Sequence, residues 1–136
     1  MCIRDRSLAA LERLRIPQTV AAPWLRERGA RWFYCIAAHE DGWRARMQWE
    51  PGEDPATGSA AGPCIAWLVR NGLVASGSDV VLQQGVEMQR PSRLTVSAER
   101  LGDRIENVRV GGRTIPVATG TFFLPESPRN SQDVEP

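Results

Sequence analysis

Lysine is missing from this chain of 136 residues, and all 17 of its basic side chains are arginines. Without lysine the chain cannot form a Schiff base with a carbonyl substrate, and it cannot hold pyridoxal phosphate through an internal aldimine. The Gly-Lys phosphate loop of nucleotide-binding enzymes is excluded for the same reason.

Histidine and cysteine are scarce as well. His39 is the one histidine, and the three cysteines, Cys2, Cys35 and Cys64, are far apart with no Cys-x-x-Cys pair. A zinc site built from Cys and His is therefore not expected, and we expect no metal and no cofactor. Widely spaced cysteines without a disulfide framework indicate a reduced, cytoplasmic protein.

Charge of one sign and long apolar runs are also lacking. The 17 basic residues face 16 acidic ones, which gives a net charge of +1. This balance does not indicate binding to nucleic acid or to a membrane surface. No apolar run is long enough to span a bilayer. The length suits one domain with a core of its own.

The stretch Glu53–Pro63, with the sequence EDPATGSAAGP, is the most informative part of the chain. It is an acidic turn that leads into a predicted helix, whose first backbone N–H groups attract anions. Gly58 allows a ligand to approach the backbone, and Thr57 and Ser59 add hydroxyls. Asp54 can accept or donate a proton. The pattern predicts a carboxylate-binding site beside one acid/base group, although capping alone would also explain the hydroxyls.

The helix that follows is predicted to be buried. Residues 60–69 are almost all apolar with no polar stripe, and Asn71-Gly72 is a stop signal. Pro63 lacks the N–H that would bond the Ser59 carbonyl, so a loosened first turn is expected.

Strand patterns lie on both sides of this helix. Two come before it, joined by the Asp41-Gly42 hairpin signal, and four follow it. The six predicted strands are 31–38, 43–49, 79–84, 93–98, 105–110 and 114–124. We therefore predict an α+β fold in which an antiparallel, β-barrel-like sheet wraps round one central apolar helix.

The motif resembles the phenazine-biosynthesis PhzF-like family of the diaminopimelate-epimerase-like superfamily. The resemblance rests on Glu53–Ala60, on Gln84-Gly85 and on Arg90-Pro91-Ser92, and it covers roughly residues 31–125. It implies the C-terminal lobe of a two-lobed, cofactor-independent isomerase that moves a proton on a small carboxylate-bearing substrate. The superfamily's racemases carry a catalytic thiol beside a Thr-Gly pair, and the residues next to Thr57-Gly58 are not cysteines.

The resemblance implies roles for individual residues. Asp54 and Ser59 are the implied catalytic residues, and the implied substrate-binding residues are Thr57, Gly58, Ser59 and Ala60. The catalytic Glu belongs to the N-terminal lobe, and nothing in residues 1–30 resembles its motif. The loop before Glu53 is shorter than is usual in the family, and this loop borders the pocket.

These observations predict a domain organisation and a set of partners. Residues 1–6 are expected to be a foreign or misassigned leader, 7–29 a helical linker, 30–125 the lobe, and 126–136 a disordered tail. Expected partners are the small carboxylate substrate and a missing N-terminal lobe, and a homodimer is left open. We expect the isolated chain to be inactive. The alternative is a non-catalytic anion-binding or interaction module.

Overall fold

The protein is built on one six-stranded sheet with the long helix of the motif on one face. The structure is a computed structural model, and it describes residues 2–49 and 52–124. The strands lie side by side in sequence order. They are β1 Cys2–Arg4, β2 Tyr34–His39, β3 Gly42–Arg46, β4 Val80–Gln84, β5 Ser92–Leu101 and β6 Arg104–Gly112. The helices are α1 Leu8–Glu12, α2 Gln18–Arg26 and α3 Gly58–Arg70.

The sheet is mixed, so the prediction of an antiparallel sheet is wrong. The β1–β2 and β3–β4 pairs are parallel, and the other three pairs in the described sheet are antiparallel. The connections explain the difference. A helix lies between the strands of each parallel pair and carries the chain back to the end at which it started. The α+β class and the two-residue hairpin between β2 and β3 are confirmed.

Helix α3 covers the inner face of the sheet and contacts β5, β6 and β1. Its buried side chains pack against apolar side chains from β2 to β5 in one core cluster. The helical residues of this cluster are Ala61, Cys64, Ile65, Leu68 and Val69. The side of α3 that faces away from the sheet is open, since Ser59 and Pro63 are exposed. The helix runs unbroken through Pro63. Complete enclosure of this helix stays a prediction.

The outer face of the sheet carries a second, smaller cluster under α1. Leu11 packs there against Cys35 and Ala37 of β2. Ser7 caps α1 by accepting a hydrogen bond from the Ala10 N–H. The first residues also take part in the sheet, because Cys2–Arg4 pairs with β2. Whether residues 1–6 are a foreign leader stays a prediction.

The segment after β6 differs from the sequence prediction. A strand was predicted over residues 114–124, but the structure assigns no strand there. A strand requires a hydrogen-bonded neighbour, and this segment has no such ladder among the described residues. Its large apolar side chains are consequently exposed, with Phe122 and Phe123 at 90% and 92%. The tail predicted to be disordered, 126–136, lies outside the described residues.

No helix in the described part of the chain is long and apolar enough to cross a membrane.

Candidate active site

An open cavity of about 630 Å³ lies at the head of α3. Its lining includes Trp32, Met47, Trp49, Asp54, Ser59 and Pro63. The wall is largely apolar and aromatic, and Asp54 is the one carboxylate among the described residues that line it. An apolar cleft with a few polar groups at one end is the usual form of a small-molecule site.

In the loop that carries Asp54 to this cavity, the backbone of residues 47–49 is hydrogen-bonded to that of residues 52–54. The Asp54 N–H donates to the Met47 carbonyl at 3.0 Å, and the Trp49 N–H donates to the Gly52 carbonyl at 2.9 Å. Gln48 and Glu53 form an isolated antiparallel bridge between these two bonds. The loop places Trp49 and Asp54 at the cavity together.

Arg46 anchors the base of this loop from the outer face of the sheet. Its Nε donates to Glu53 Oε1 at 2.9 Å and its Nη2 to Glu53 Oε2 at 2.6 Å. Its Nη1 donates to three carbonyls at and just after the C-terminal end of α1, those of Leu11, Glu12 and Leu14. Hydrogen bonding to Glu53 raises the pKa of Arg46, so the guanidinium stays charged although it is only 2% exposed.

A second ion pair extends this cluster. Arg44 Nη1 lies 2.9 Å from Glu87 Oε1, and Glu87 Oε2 lies 3.9 Å from Arg46 Nε. The cluster therefore holds two positive and two negative side chains. Charges that are taken out of water in this way must be paired, and removing one partner is costly.

The Asp54 carboxylate is held by a buried hydrogen-bond network. The Thr57 hydroxyl donates to Asp54 Oδ2 at 2.7 Å. Gln84, which is 0% exposed, donates from Nε2 to Thr57 Oγ1 at 2.8 Å and to the Asp54 carbonyl at 2.7 Å. Gln84 Oε1 accepts from the Thr57 N–H at 3.1 Å and from the Tyr34 hydroxyl at 2.9 Å.

The head of α3 leaves backbone donors available beside Asp54. The Ala60 and Ala61 N–H groups donate to the Thr57 carbonyl at 3.1 and 3.0 Å. The Gly58 and Ser59 N–H groups have no acceptor among the described residues. Both residues are exposed. A Cβ at Gly58 would have nothing within 4 Å. These two amides can therefore donate to an anion at the positive end of the helix dipole.

The structure thus brings implied site residues together at the cavity, but the polar groups of some of them are already hydrogen-bonded within the protein. Asp54, Thr57, Ser59 and Ala60 all line the cavity. The amide and hydroxyl of Thr57 are already bonded within the network, and the amide of Ala60 is bonded to Thr57. The free polar groups at the helix head are those of Gly58 and Ser59.

Gln84-Gly85 is part of the family resemblance, but no role was predicted for either residue. Gly85 has a φ of +79°, and a Cβ there would collide with the Arg90 carbonyl oxygen and lie 3.0 Å from Pro55. The glycine therefore lets the loop after β4 pack directly on the turn that carries Asp54. Arg90, the other residue singled out in this loop, is exposed. The sequence signal that could have indicated these roles is a polar residue followed by glycine at the end of a strand.

Two thiols meet near the cavity, which the sequence did not indicate. Cys2 Sγ lies 3.8 Å from Cys64 Sγ, and Cys2 contributes to the cavity wall. The residues are 62 positions apart, so no spacing motif could reveal the contact. No group of three or more His, Cys, Asp or Glu side chains within the described ranges could hold a metal ion.

Comparisons with known proteins identify the family of this chain. The family model described as phenazine biosynthesis-like protein, PhzC-PhzF, matches residues 27–120. A trans-2,3-dihydro-3-hydroxyanthranilate isomerase of Pseudomonas aeruginosa is 40% identical over 94 residues, which are 66% of this chain and 34% of the relative. An uncharacterized isomerase of Mesorhizobium japonicum is 36% identical over 98 residues, 67% of this chain and 32% of the relative.

Two solved structures share the fold. A predicted epimerase from Pseudomonas aeruginosa superposes with a TM-score of 0.61 at 38% identity, covering 82% of this chain and 38% of the other. A PhzF-family phenazine biosynthesis protein from Bacillus anthracis superposes with a TM-score of 0.65 at 20% identity, covering 76% and 39%. The chain spans about a third of the length of the curated relatives it matches. Because the family model matches more than half of the chain, this protein belongs to the phenazine biosynthesis-like PhzC-PhzF family.

Proposed function

We propose that this chain is the C-terminal lobe of a cytoplasmic, cofactor-independent isomerase that transfers a proton on a small carboxylate-bearing substrate. The observation that carries the proposal is that Asp54 and Ser59 both line the cavity, at a helix head whose Gly58 and Ser59 amides have no acceptor among the described residues. A proton-transfer group and an anion-binding group then lie at one end of the same cleft. The substrate class follows those relatives that are named trans-2,3-dihydro-3-hydroxyanthranilate isomerases.

The Gly58 and Ser59 amides would bind the substrate carboxylate. Negative charge develops on the substrate when a carbon next to an unsaturated system loses its proton. Fixed N–H donors at a helix head stabilise that charge without reorganising. The exposed Ser59 hydroxyl adds a donor at the same place.

Asp54 would then exchange a proton with the substrate as a general acid and base. Moving a proton between two carbons takes one group to remove it and a group placed to return it. Asp54 is the one described carboxylate on the cavity wall, and the cavity is open on the exposed side of α3. We therefore propose that a second lobe, bearing a catalytic Glu, covers this side and completes both the site and the enclosure of the helix.

Binding is tested on the chain itself. In a ¹⁵N-labelled sample, titration with benzoate should shift the Gly58 and Ser59 amide resonances. Gly58→Ala adds a methyl group in open space next to the residue's own amide without a clash, so it should weaken binding by about tenfold or more while the fold is kept. Gly120→Ala, also in open space but remote from the cavity, is the matched control. Equal binding by both variants would show that the helix head is not the anion site.

Turnover requires the second lobe, so it is tested in a chimera. The matching segment of the Pseudomonas aeruginosa isomerase is replaced by residues 27–120 of this chain. We expect the chimera to isomerise the relative's substrate, and Asp54→Asn to lower kcat by about 10²–10⁴-fold. A folded chimera that binds benzoate but has no turnover would favour the non-catalytic anion-binding module.

A further inference from the structure

Gln84 uses every hydrogen-bonding position of its side-chain amide in the network behind Asp54. Its two Nε2 hydrogens go to Thr57 Oγ1 and to the Asp54 carbonyl. Its Oε1 accepts from the Thr57 N–H and the Tyr34 hydroxyl. A glutamine amide has two donors and two acceptor positions, so none is left over.

The network also fixes which way this amide points. Turning the amide over would set Nε2 against the Thr57 N–H and Oε1 against the Asp54 carbonyl, which are two repulsive contacts. Burial raises the pKa of Tyr34, so its hydroxyl remains a donor to Oε1 at working pH. The orientation of Gln84 is therefore determined by its neighbours.

This orientation maintains the direction of the next hydrogen bond when Asp54 gains a proton. An ionised carboxylate can only accept from Thr57, whereas a protonated one could also donate to Thr57 Oγ1, the oxygen that Gln84 Nε2 occupies. Thr57 Oγ1 accepts a hydrogen from Gln84 Nε2 at 2.8 Å, so its own hydrogen is directed to Asp54 Oδ2 at 2.7 Å. Within the part of the chain that the structure describes, the other carboxylate oxygen, Oδ1, has only the Ala56 N–H as a donor, at the long distance of 3.5 Å. The two oxygens of Asp54 are thus not equivalent.

We propose that Gln84 is a positioning residue that acts through Thr57 and makes Oδ1 of Asp54 the oxygen that gains and loses the proton. Oδ2 keeps the hydrogen bond from Thr57 in both protonation states, and the new O–H bond forms and breaks at Oδ1. The assignment of proton transfer to Asp54 rests on the proposed function. Thr57 is then an orienting residue, and the substrate meets the Gly58 and Ser59 amides instead.

The direction of the hydrogen bond is tested first, without substrate. In the full chain, the Thr57 hydroxyl proton should exchange slowly enough to be seen by NMR, and its replacement by deuterium should shift the Asp54 carboxyl ¹³C resonance. Gln84→Met removes the donor to Thr57 at similar size, and it should abolish this isotope shift at a pH low enough to protonate Asp54, because the carboxyl can then donate to Thr57 Oγ1 instead. Tyr34→Phe is the matched control, because it also removes a buried hydrogen bond to Gln84 but leaves the Nε2 side intact.

Turnover in the chimera tests the consequence for catalysis. Gln84→Met should lower kcat on the order of 100-fold with little change in KM, since a misplaced acid/base group affects chemistry more than binding. Thr57→Val should do the same, Thr57→Ser should recover most of the rate, and Tyr34→Phe should lose much less. If Gln84→Met does not fold, the comparison of Thr57→Val with Thr57→Ser tests the positioning role.

The outcomes separate the two proposals. An isotope shift that persists in Gln84→Met when Asp54 is protonated, or a Thr57→Val variant with unchanged kcat, would overturn the positioning role. A chimera that shows the isotope shift but has no turnover, with or without these substitutions, would instead refute the proposed isomerase function and with it the catalytic use of Oδ1.

Discussion

Replacing Arg46 with Met tests how much of the stability of the fold depends on one buried guanidinium. Arg46 is 2% exposed, and it donates two hydrogen bonds to Glu53 and three to carbonyls near the end of α1. Methionine fills a similar volume but donates nothing. The variant therefore keeps the packing and removes the charge and all five hydrogen bonds.

The loss of the ion pair dominates the expected cost. The Glu53 side chain is only 12% exposed and would keep one long contact, from Gln48 Nε2 at 3.5 Å. The Leu11 and Leu14 carbonyls each retain another donor. Removing one partner of a buried pair costs about 3–5 kcal/mol, out of a total of about 5–15 kcal/mol for a typical domain.

Urea unfolding followed by tryptophan fluorescence measures this loss. For a slope of about 2 kcal/mol per M, the midpoint should fall by about 2 M. The double variant Arg46→Met/Glu53→Met removes both charges and should regain most of the stability. Arg104→Met is the control: its side chain is 82% exposed beside Glu106, and it should change stability by less than about 0.5 kcal/mol. A loss below about 1 kcal/mol in Arg46→Met would refute the reasoning.

Two other substitutions test separate features of the fold. Burial raises the pKa of the Cys35 thiol from 9.0 to about 12, so the folded state holds this proton more tightly. The contribution of this thiol to the free energy of unfolding should be complete below pH 9 and fall by about 1.4 kcal/mol per pH unit above it. Urea unfolding at pH 9–10 should show a smaller fall for Cys35→Ala. The same pH dependence in both proteins would contradict this reasoning. Gly85→Ala should cost about 2 kcal/mol or more, because of its φ of +79° and the collision with the Arg90 carbonyl. Its Tm should be lower by roughly 8 °C, and a Tm equal to that of Gly120→Ala would refute the close approach.

Local signals predicted the hairpin, the motif helix and five of the six observed strands. Asp41-Gly42 marked the two-residue turn between β2 and β3, and Asn71-Gly72 marked the end of α3. These features depend on residues that are adjacent in sequence, so backbone preference and periodicity are enough to predict them. The position of the Asp54 carboxylate at the helix head could be predicted because Asp54 and Ser59 lie within one short motif.

Local signals could not predict the relative direction of neighbouring strands, and they wrongly predicted a strand after β6. Residues 114–124 have a β-rich pattern, but a strand exists only when a neighbour completes its hydrogen bonds, and none does so here among the described residues. Whether β3 and β4 run parallel depends on where the chain returns after α3. Periodicity along one strand carries no information about its neighbour's direction.

The amino-acid sequence by itself determined the chemistry available at the helix head, because Asp54, Gly58 and Ser59 are local to one turn. Only the tertiary structure decided which of these groups are free. Gln84 comes from β4, 27 residues beyond Thr57, and its buried amide occupies the Thr57 backbone and hydroxyl. Arg46 likewise meets Glu53 and the end of α1 only after the sheet has formed. A buried polar side chain takes whichever partners folding brings to it, and those partners are set by contacts between distant parts of the chain.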